Sequence, residues 1–405
     1  MRRILYISMC LPFDKAFHAG GKTFNYYIKK FANDPDNEVT LIAKVLPEEE
    51  NYIDTINPRI HKLLVQTPKE KIRRYLGYIK SINSKFNPFY KYGNVISKEI
   101  YDQIEDRLKE LKHYNYHPDV VVLEWTSMLL YIDVVKKFFP DVKYVASEHD
   151  VSFLGMKRLI SKAKNPFERS IRTKAYYIFK RNELEAIQKC DLVVTHNNKD
   201  KRLLINNGIP ENKLGVIVPY YDRFPAKARY NKNKKDIIYY GAMNRMENST
   251  SAMWFIENVM PALDDCDVRF VIIGNKPPRE LVNRANDRII VTGFVEDPSD
   301  YFNNAMCLAA PLLYGAGIKV KIIEALSSGV PVLTNSIGIE GIDAEDGISY
   351  LHCESASDYA NTIKRILENK IDIEAISRNA IELINKNYDL ERSYINYSER
   401  IYSLL

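Results

Sequence analysis

The chain alternates short apolar runs with helical stretches, and it does so in two separate series. Ile4–Met9, Val39–Val45, Asp119–Glu124, Val142–Ser147, Leu192–His196 and Leu214–Val218 read as strands, with helical segments such as Phe24–Asn33 between them. A run that is apolar at every position suits a strand covered on both faces. Strands that alternate with helices build βαβ units and a parallel sheet. The pattern lapses over Tyr220–Lys235, which is charged, holds Pro225 and has no periodicity. It restarts with strand Asp236–Tyr240, helix Thr250–Leu263 and strands Val268–Ile273 and Arg288–Thr292, and Ser355–Tyr402 is nearly all helical. At 405 residues the chain is too long for one ordinary domain and suits two of about 200.

The most informative stretch is Tyr314–Ile342. Apolar Ala305–Pro311 precedes it as a buried strand, Gly315 and Gly317 open a tight loop, and Lys319–Ser328 has helical character. Gly329 is placed to end that helix in the left-handed conformation, and Val330–Leu333 is the next strand. Such a corner puts free N–H groups and the positive end of a helix dipole at the carboxyl end of a strand, a ready anion site. Lys319 and Lys321 then stand in the first turn, where the dipole disfavours cations by roughly 0.3–1 kcal/mol. A bound phosphate resolves that conflict. A salt-bridged surface helix is the plainer alternative.

These residues carry a resemblance. Gly315-x-Gly317-Ile318-Lys319-x-Lys321-x-x-Glu324-Ala325, followed by Gly329-x-Pro331-Val332 and Gly338-x-Glu340-Gly341, resembles the donor-site signature of family-4-like retaining glycosyltransferases of the bacterial surface-glycan type. The resemblance implies an α/β chain of two Rossmann-like domains facing across a cleft, the GT-B fold. It implies that the glycine-loop amides with Lys319 and Lys321 hold the nucleotide diphosphate and that Glu324, on the helical-wheel arc opposite Ile322, Ile323 and Leu326 that reads as an exposed face, holds the ribose hydroxyls. Many relatives carry a second glutamate eight positions earlier, where this chain has Ala316. The expected division is an acceptor domain at 1–220, a linker at 221–235 and a donor domain at 236–387. By the same resemblance, helix 388–405 packs back on the first domain.

The resemblance also assigns residues elsewhere. Gly20 and Gly21 match a first-loop glycine pair that lets backbone approach the donor. Gly241 and Asn248 match the loop that opens the second domain. The basic pair usual there falls on Ala242 and Glu247, so Arg245 is the candidate substitute. Phe294 and Val295, after Gly293, match the loop that holds the base through its main chain. Glu148-His149-Asp150 ends an N-domain strand, where relatives place a histidine against the transferred sugar. The residues themselves suggest that Asp150 orients His149.

Composition narrows the remaining classes. No run approaches the 18 or so apolar residues of a membrane span. Met1-Arg2-Arg3 leads into Ile4–Leu11, too short for a secretory signal. Five scattered cysteines without a C-x-x-C pair argue for reduced thiols and no zinc site. Asp264-Asp265-Cys266-Asp267 resembles a metal-binding acidic motif, but it precedes its strand, whereas open α/β sheets bind ligands at strand carboxyl ends. Gly21-Lys22-Thr23 lacks the glycine that a P-loop needs at position 16, where Ala16 stands, so an NTPase is a weak alternative. The net charge of +6 is concentrated in Lys69–Asn94 and Met156–Arg181, both rich in aromatic residues. Such stretches suit an anionic membrane face or a polyanionic acceptor, and no nucleic-acid module accompanies them.

The expectation is a cytoplasmic, metal-independent retaining hexosyltransferase that needs no cofactor, peripheral to the inner face of the cell membrane. Its donor is a UDP or GDP sugar, and its acceptor is a glycan, lipid-linked or protein-linked molecule. The catalytic candidates are His149, Asp150, Lys321 and Arg245. The alternative from another class is a non-catalytic glycosyltransferase-like subunit that binds glycan or a partner enzyme.

Overall fold

The computed structural model describes residues 1–16, 18–67, 98–161, 163–224, 235–315 and 317–405. The basic stretch Lys69–Asn94, linker residues 225–234, Lys162 and Ala316 lie outside the described residues. The chain divides into two units, Met1–Tyr220 with Leu390–Leu405, and Tyr221–Asp389.

The first unit is built on β1 (Arg2–Ser8), β2 (Asn37–Val45), β3 (Ile60–Gln66), β4 (Val120–Glu124), β5 (Lys143–Glu148), β6 (Leu192–Thr195) and β7 (Leu214–Val216). They pair in the order β3-β2-β1-β4-β5-β6-β7, every neighbour parallel. Side chains alternate between two cores. Leu5, Ile7, Val121 and Leu123 enter one, and Ile4, Tyr6, Val120 and Val122 enter the other, all fully buried. A sheet covered on both faces needs apolar residues at both parities, which is why these strands are continuous apolar runs. β3 does not read as a strand in the sequence, because His61, Lys62 and Gln66 interrupt its apolar positions. It is an edge strand, with Ile60 and Leu64 against one core, Leu63 and Val65 in the other, and His61 and Gln66 exposed.

Helix Leu390–Tyr402 belongs to this unit. Tyr397 and Ile401 are buried in the second core, and the Tyr394 and Tyr397 rings meet Phe31 edge-on at 5.3 and 5.5 Å. Each buried aromatic or aliphatic side chain contributes roughly 1.5–3 kcal/mol. Ser393 Oγ lies 2.6 Å from the Tyr27 hydroxyl and accepts from the Val218 N–H, and the Arg400 guanidinium donates to the carbonyls of Leu214 and Asn212.

The second unit repeats the plan with β8 (Asp236–Tyr240), β9 (Arg269–Ile273), β10 (Ile289–Gly293), β11 (Ala305–Ala310), β12 (Val332–Thr334) and β13 (Leu351–His352). The order is β10-β9-β8-β11-β12-β13, again all parallel. Chain direction across each sheet reverses beside its first strand, between β1 and β4 and between β8 and β11. Ligands of open parallel sheets bind at the carboxyl ends of strands at such points. Among the described residues, no helix is long and apolar enough to cross a membrane.

Candidate functional site

In the second unit the reversal point gathers three segments. β8 ends at Tyr240, and Gly241 follows with φ +153°. Opposite it, Gly274 has φ +155°, and a Cβ there would lie 1.7 Å from the Gly241 carbonyl oxygen. Two backbones meet where no side chain fits. The third segment, after β11, carries Gly315 at φ +141° and Gly317 at φ +70°, and leads into helix Val320–Ser327. This helix starts one residue later than the sequence suggests. Lys319 is its N-cap, with extended backbone and no capping side chain, and its ammonium donates to the Gly317 carbonyl.

Lys321 is the centre of the cluster. Its Nζ donates to Asn248 Oδ1 at 2.6 Å and to the Tyr239 hydroxyl at 3.2 Å, and sits 4.6 Å from the Tyr239 ring centroid. Asn248 Nδ2 donates to the Ala242 carbonyl at 2.9 Å, which fixes which end of the amide faces the lysine. Burial, with Lys319 and Arg245 nearby, lowers the ammonium to about 7. Arg245 is exposed and ion-paired to Glu247, its own counter-ion two residues on. Tyr314, whose hydroxyl bonds Thr250, ties the glycine loop to the start of helix Met246–Asn258.

Glu324 differs from its sequence reading. It does not lie on an exposed helix face. It is 5% exposed, and its Oε1 accepts the Asp222 N–H at 3.2 Å. The eight-residue helix is covered on nearly every side, so a helical-wheel arc does not separate a solvated face from a buried one. Phe294 is 73% exposed after Gly293, which turns with φ +72°, and Val295 and Ile318 are partly buried.

The first unit has its own cluster, delivered by the carboxyl ends of β4, β5 and β6. Glu124, His149 and His196 stand at or just past those ends. Glu124 Oε2 lies 3.0 Å from His149 Nε2, His149 Nδ1 lies 3.1 Å from His196 Nε2, and His196 Nδ1 lies 3.3 Å from the Ile217 carbonyl oxygen. The His149 ring stacks on Trp125 with centroids 4.1 Å apart and planes 6° from parallel. Trp125 has φ +67°, a conformation that costs a bulky residue of order 1–3 kcal/mol and persists where surroundings over-determine it. Burial raises the Glu124 carboxyl to about 8 and lowers both imidazoles to about 3.

The carboxylate on His149 is therefore Glu124, not Asp150, whose Oδ1 accepts from the Ser152 hydroxyl at 3.2 Å. Beside them Thr126 donates to buried Glu148, and Glu183 accepts the N–H groups of Ser152 and Phe153. Gly20 and Gly21 lie in the first turn of helix Ala19–Asn33 rather than in a loop, because His18 Nδ1 caps it by accepting the Gly21 N–H at 2.9 Å. A Cβ on Gly20 would sit 3.2 Å from His149 Nδ1 and 3.3 Å from Trp125. Glu124, Trp125, His196 and Tyr239 are absent from the sequence-derived candidates. The signal for the first three is positional: each directly follows, or closes, an apolar run.

Asp264, Asp265 and Asp267 are taken up in exposed ion pairs with Arg288, Lys364 and Lys235. Among the described residues, no cluster of histidine, cysteine and carboxylate side chains has a metal-binding arrangement.

Two all-parallel sheets with this strand order define the class, the two-domain α/β fold of GT-B glycosyltransferases. Residues 234–369 match the family described as Glycosyl transferases group 1, so the chain carries a glycosyltransferase domain of that group within the GT-B fold. A curated relative, an uncharacterized 44.6 kDa protein in the cps region of Klebsiella pneumoniae, is 22% identical over 97% of this chain and 98% of its own length. Among solved structures, sucrose-phosphate synthase from Thermosynechococcus elongatus superposes with a TM-score of 0.69 at 15% identity, covering 100% of this chain and 99% of its own. Anabaena HepE in complex with UDP-glucose gives 0.66 at 14% identity, with 100% of both chains covered.

Proposed function

We propose that this protein is a retaining glycosyltransferase that moves a sugar from a UDP or GDP sugar to a glycan, lipid-linked or protein-linked acceptor in surface-polysaccharide synthesis. The observation that carries the reading is the partly buried Lys321, held by Asn248 and Tyr239 beside the glycine loop and the start of helix Val320–Ser327. The diphosphate departs carrying negative charge, and stabilising that charge is the main chemical task. Helix N–H groups with Lys319 and Lys321 supply preorganised positive charge without a metal or cofactor. Arg245, on exchanging Glu247 for phosphate, adds to it. Glu324 takes the ribose hydroxyls, and the Gly293-Phe294-Val295 loop takes the base. His149 belongs to the sugar side of the reaction. UDP and UDP-glucose are bound by HepE, and a relative lies in a cps region, which supports the donor class and the biosynthetic setting. We place the protein in the cytoplasm, peripheral to the membrane through the basic, aromatic segment Met156–Arg181.

The test is a screen of nucleoside-diphosphate sugars for thermal shift and for slow hydrolysis, repeated with EDTA. Turnover of one donor, undiminished by EDTA, is the expected result. Binding without turnover across the set favours a non-catalytic subunit. Full loss in EDTA restored by manganese or magnesium overturns the metal-free mechanism.

A further inference from the structure

The Glu124–His149–His196 chain has a direction that its acceptors dictate. A peptide carbonyl only accepts, so His196 Nδ1 must donate to Ile217. A neutral His196 then offers the Nε2 lone pair, and His149 Nδ1 must donate to it. His149 Nε2 is left facing Glu124 Oε2 across 3.0 Å, and that bond exists only if a proton lies in it. The rest of the chain is fixed, so a single proton is movable. It is shared by Glu124 and His149, and the pair is neutral overall whichever partner holds it.

We propose that this chain orients the His149 ring for sugar transfer, with Glu124 and His196 as positioning residues whose shared proton must be present for turnover; the assignment rests on the glycosyltransferase reading above. Three constraints converge on the ring. Trp125 covers one face, the missing Cβ of Gly20 leaves room beside Nδ1, and both nitrogens are bonded within the unit. Loss of the proton sets two lone pairs against each other at Glu124 and His149 and releases the ring. Other ionisable groups that act on the chain are His18, Tyr6, Tyr397, Cys10, Glu148 and Asp200. Burial holds the Glu124 carboxyl up to about 8, so the proton is kept through neutral pH and lost on the alkaline side.

Glu124→Gln separates this from a merely structural role. Its amide donates to His149 Nε2 but has no proton to release. At saturating donor, wild-type kcat should fall as pH rises through the alkaline range. Glu124→Gln should lack the Glu124 contribution to that fall while retaining at least about tenfold more kcat than Glu124→Ala. His196→Phe, which strands the His149 Nδ1–H, should lower kcat with little change in KM. Long-range proton–nitrogen spectra of histidine-labelled protein supply a readout independent of activity, with His149 protonated at Nδ1 in wild type and in Glu124→Gln. A neutral His149 protonated only at Nε2, or an alkaline limb identical in wild type and Glu124→Gln, overturns the proposal. If no donor is turned over, the spectra still decide the chain, and only the glycosyltransferase reading fails.

Discussion

With Lys321 taking the donor diphosphate as proposed, donor binding becomes a protonation event. Its ammonium is lowered to about 7, by burial first and by Lys319 and Arg245 second. A bound diphosphate favours the charged form, so its affinity is highest below pH 7, where no proton need be acquired. Above pH 7 each unit costs about 1.4 kcal/mol until the pKa of the occupied site is reached. At pH 8.5 the cost is about 2 kcal/mol, roughly a thirtyfold weaker dissociation constant than at pH 6. An unreactive nucleoside-diphosphate sugar is the right probe, because it has no terminal phosphate that titrates in this range. Calorimetry at pH 8 in buffers of different ionisation enthalpy should report uptake of roughly 0.9 proton per ligand. Lys321→Met should bind more weakly and lose the slope. An affinity flat between pH 6 and 8.5, or the same proton uptake in Lys321→Met, refutes the argument.

Three further outcomes are expected. Gly274→Ala drives a Cβ against the Gly241 carbonyl at a φ that alanine rarely adopts, so the second unit should unfold at least about 10 °C earlier in a thermal melt, or fail to fold. Glu324→Gln keeps an acceptor for the Asp222 N–H and so keeps the fold, but a weaker ribose contact should cost about 1.5–3 kcal/mol of nucleotide affinity by calorimetry; unchanged affinity removes the ribose assignment. Changing exposed Lys164, Arg169, Lys174 and Arg181 together to Gln should release the protein from anionic vesicles in flotation assays, at about 1 kcal/mol per charge, while donor hydrolysis survives; Arg172 is spared because it bonds the Leu159 carbonyl and Glu168.

Much of the architecture was legible because parallel, doubly covered strands leave uninterrupted apolar runs, and the strand set of both sheets follows from them apart from β3 and β13. Those two are edge strands, one broken by polar residues and the other only two residues long. Gly315, Gly317, Lys319 and Lys321 converge as their spacing suggests, since sequence-local motifs carry their own geometry. Partners brought from distant strands do not announce themselves. Asp150 is next to His149 in sequence, yet Glu124, 25 residues away, makes the bond. Tyr239 carries no positional signal, and the end of an apolar run marks His196 without showing that it meets His149. Glu324 was misread as exposed because a helix covered on nearly every side erases the solvated arc that a wheel looks for.

Because Leu390–Tyr402 completes the core of the first unit, the second unit is an insertion in that unit's chain. Synthesis then inverts the usual amino-terminal-first order of domain folding. Residues Tyr221–Asp389 are all made before Leu390 appears, so the second unit can reach its final form while the first still exposes Tyr27, Phe31 and the strip that Tyr397 and Ile401 will cover. Until Leu390–Tyr402 docks, a finished second unit is carried by an adhesive, unfinished first one.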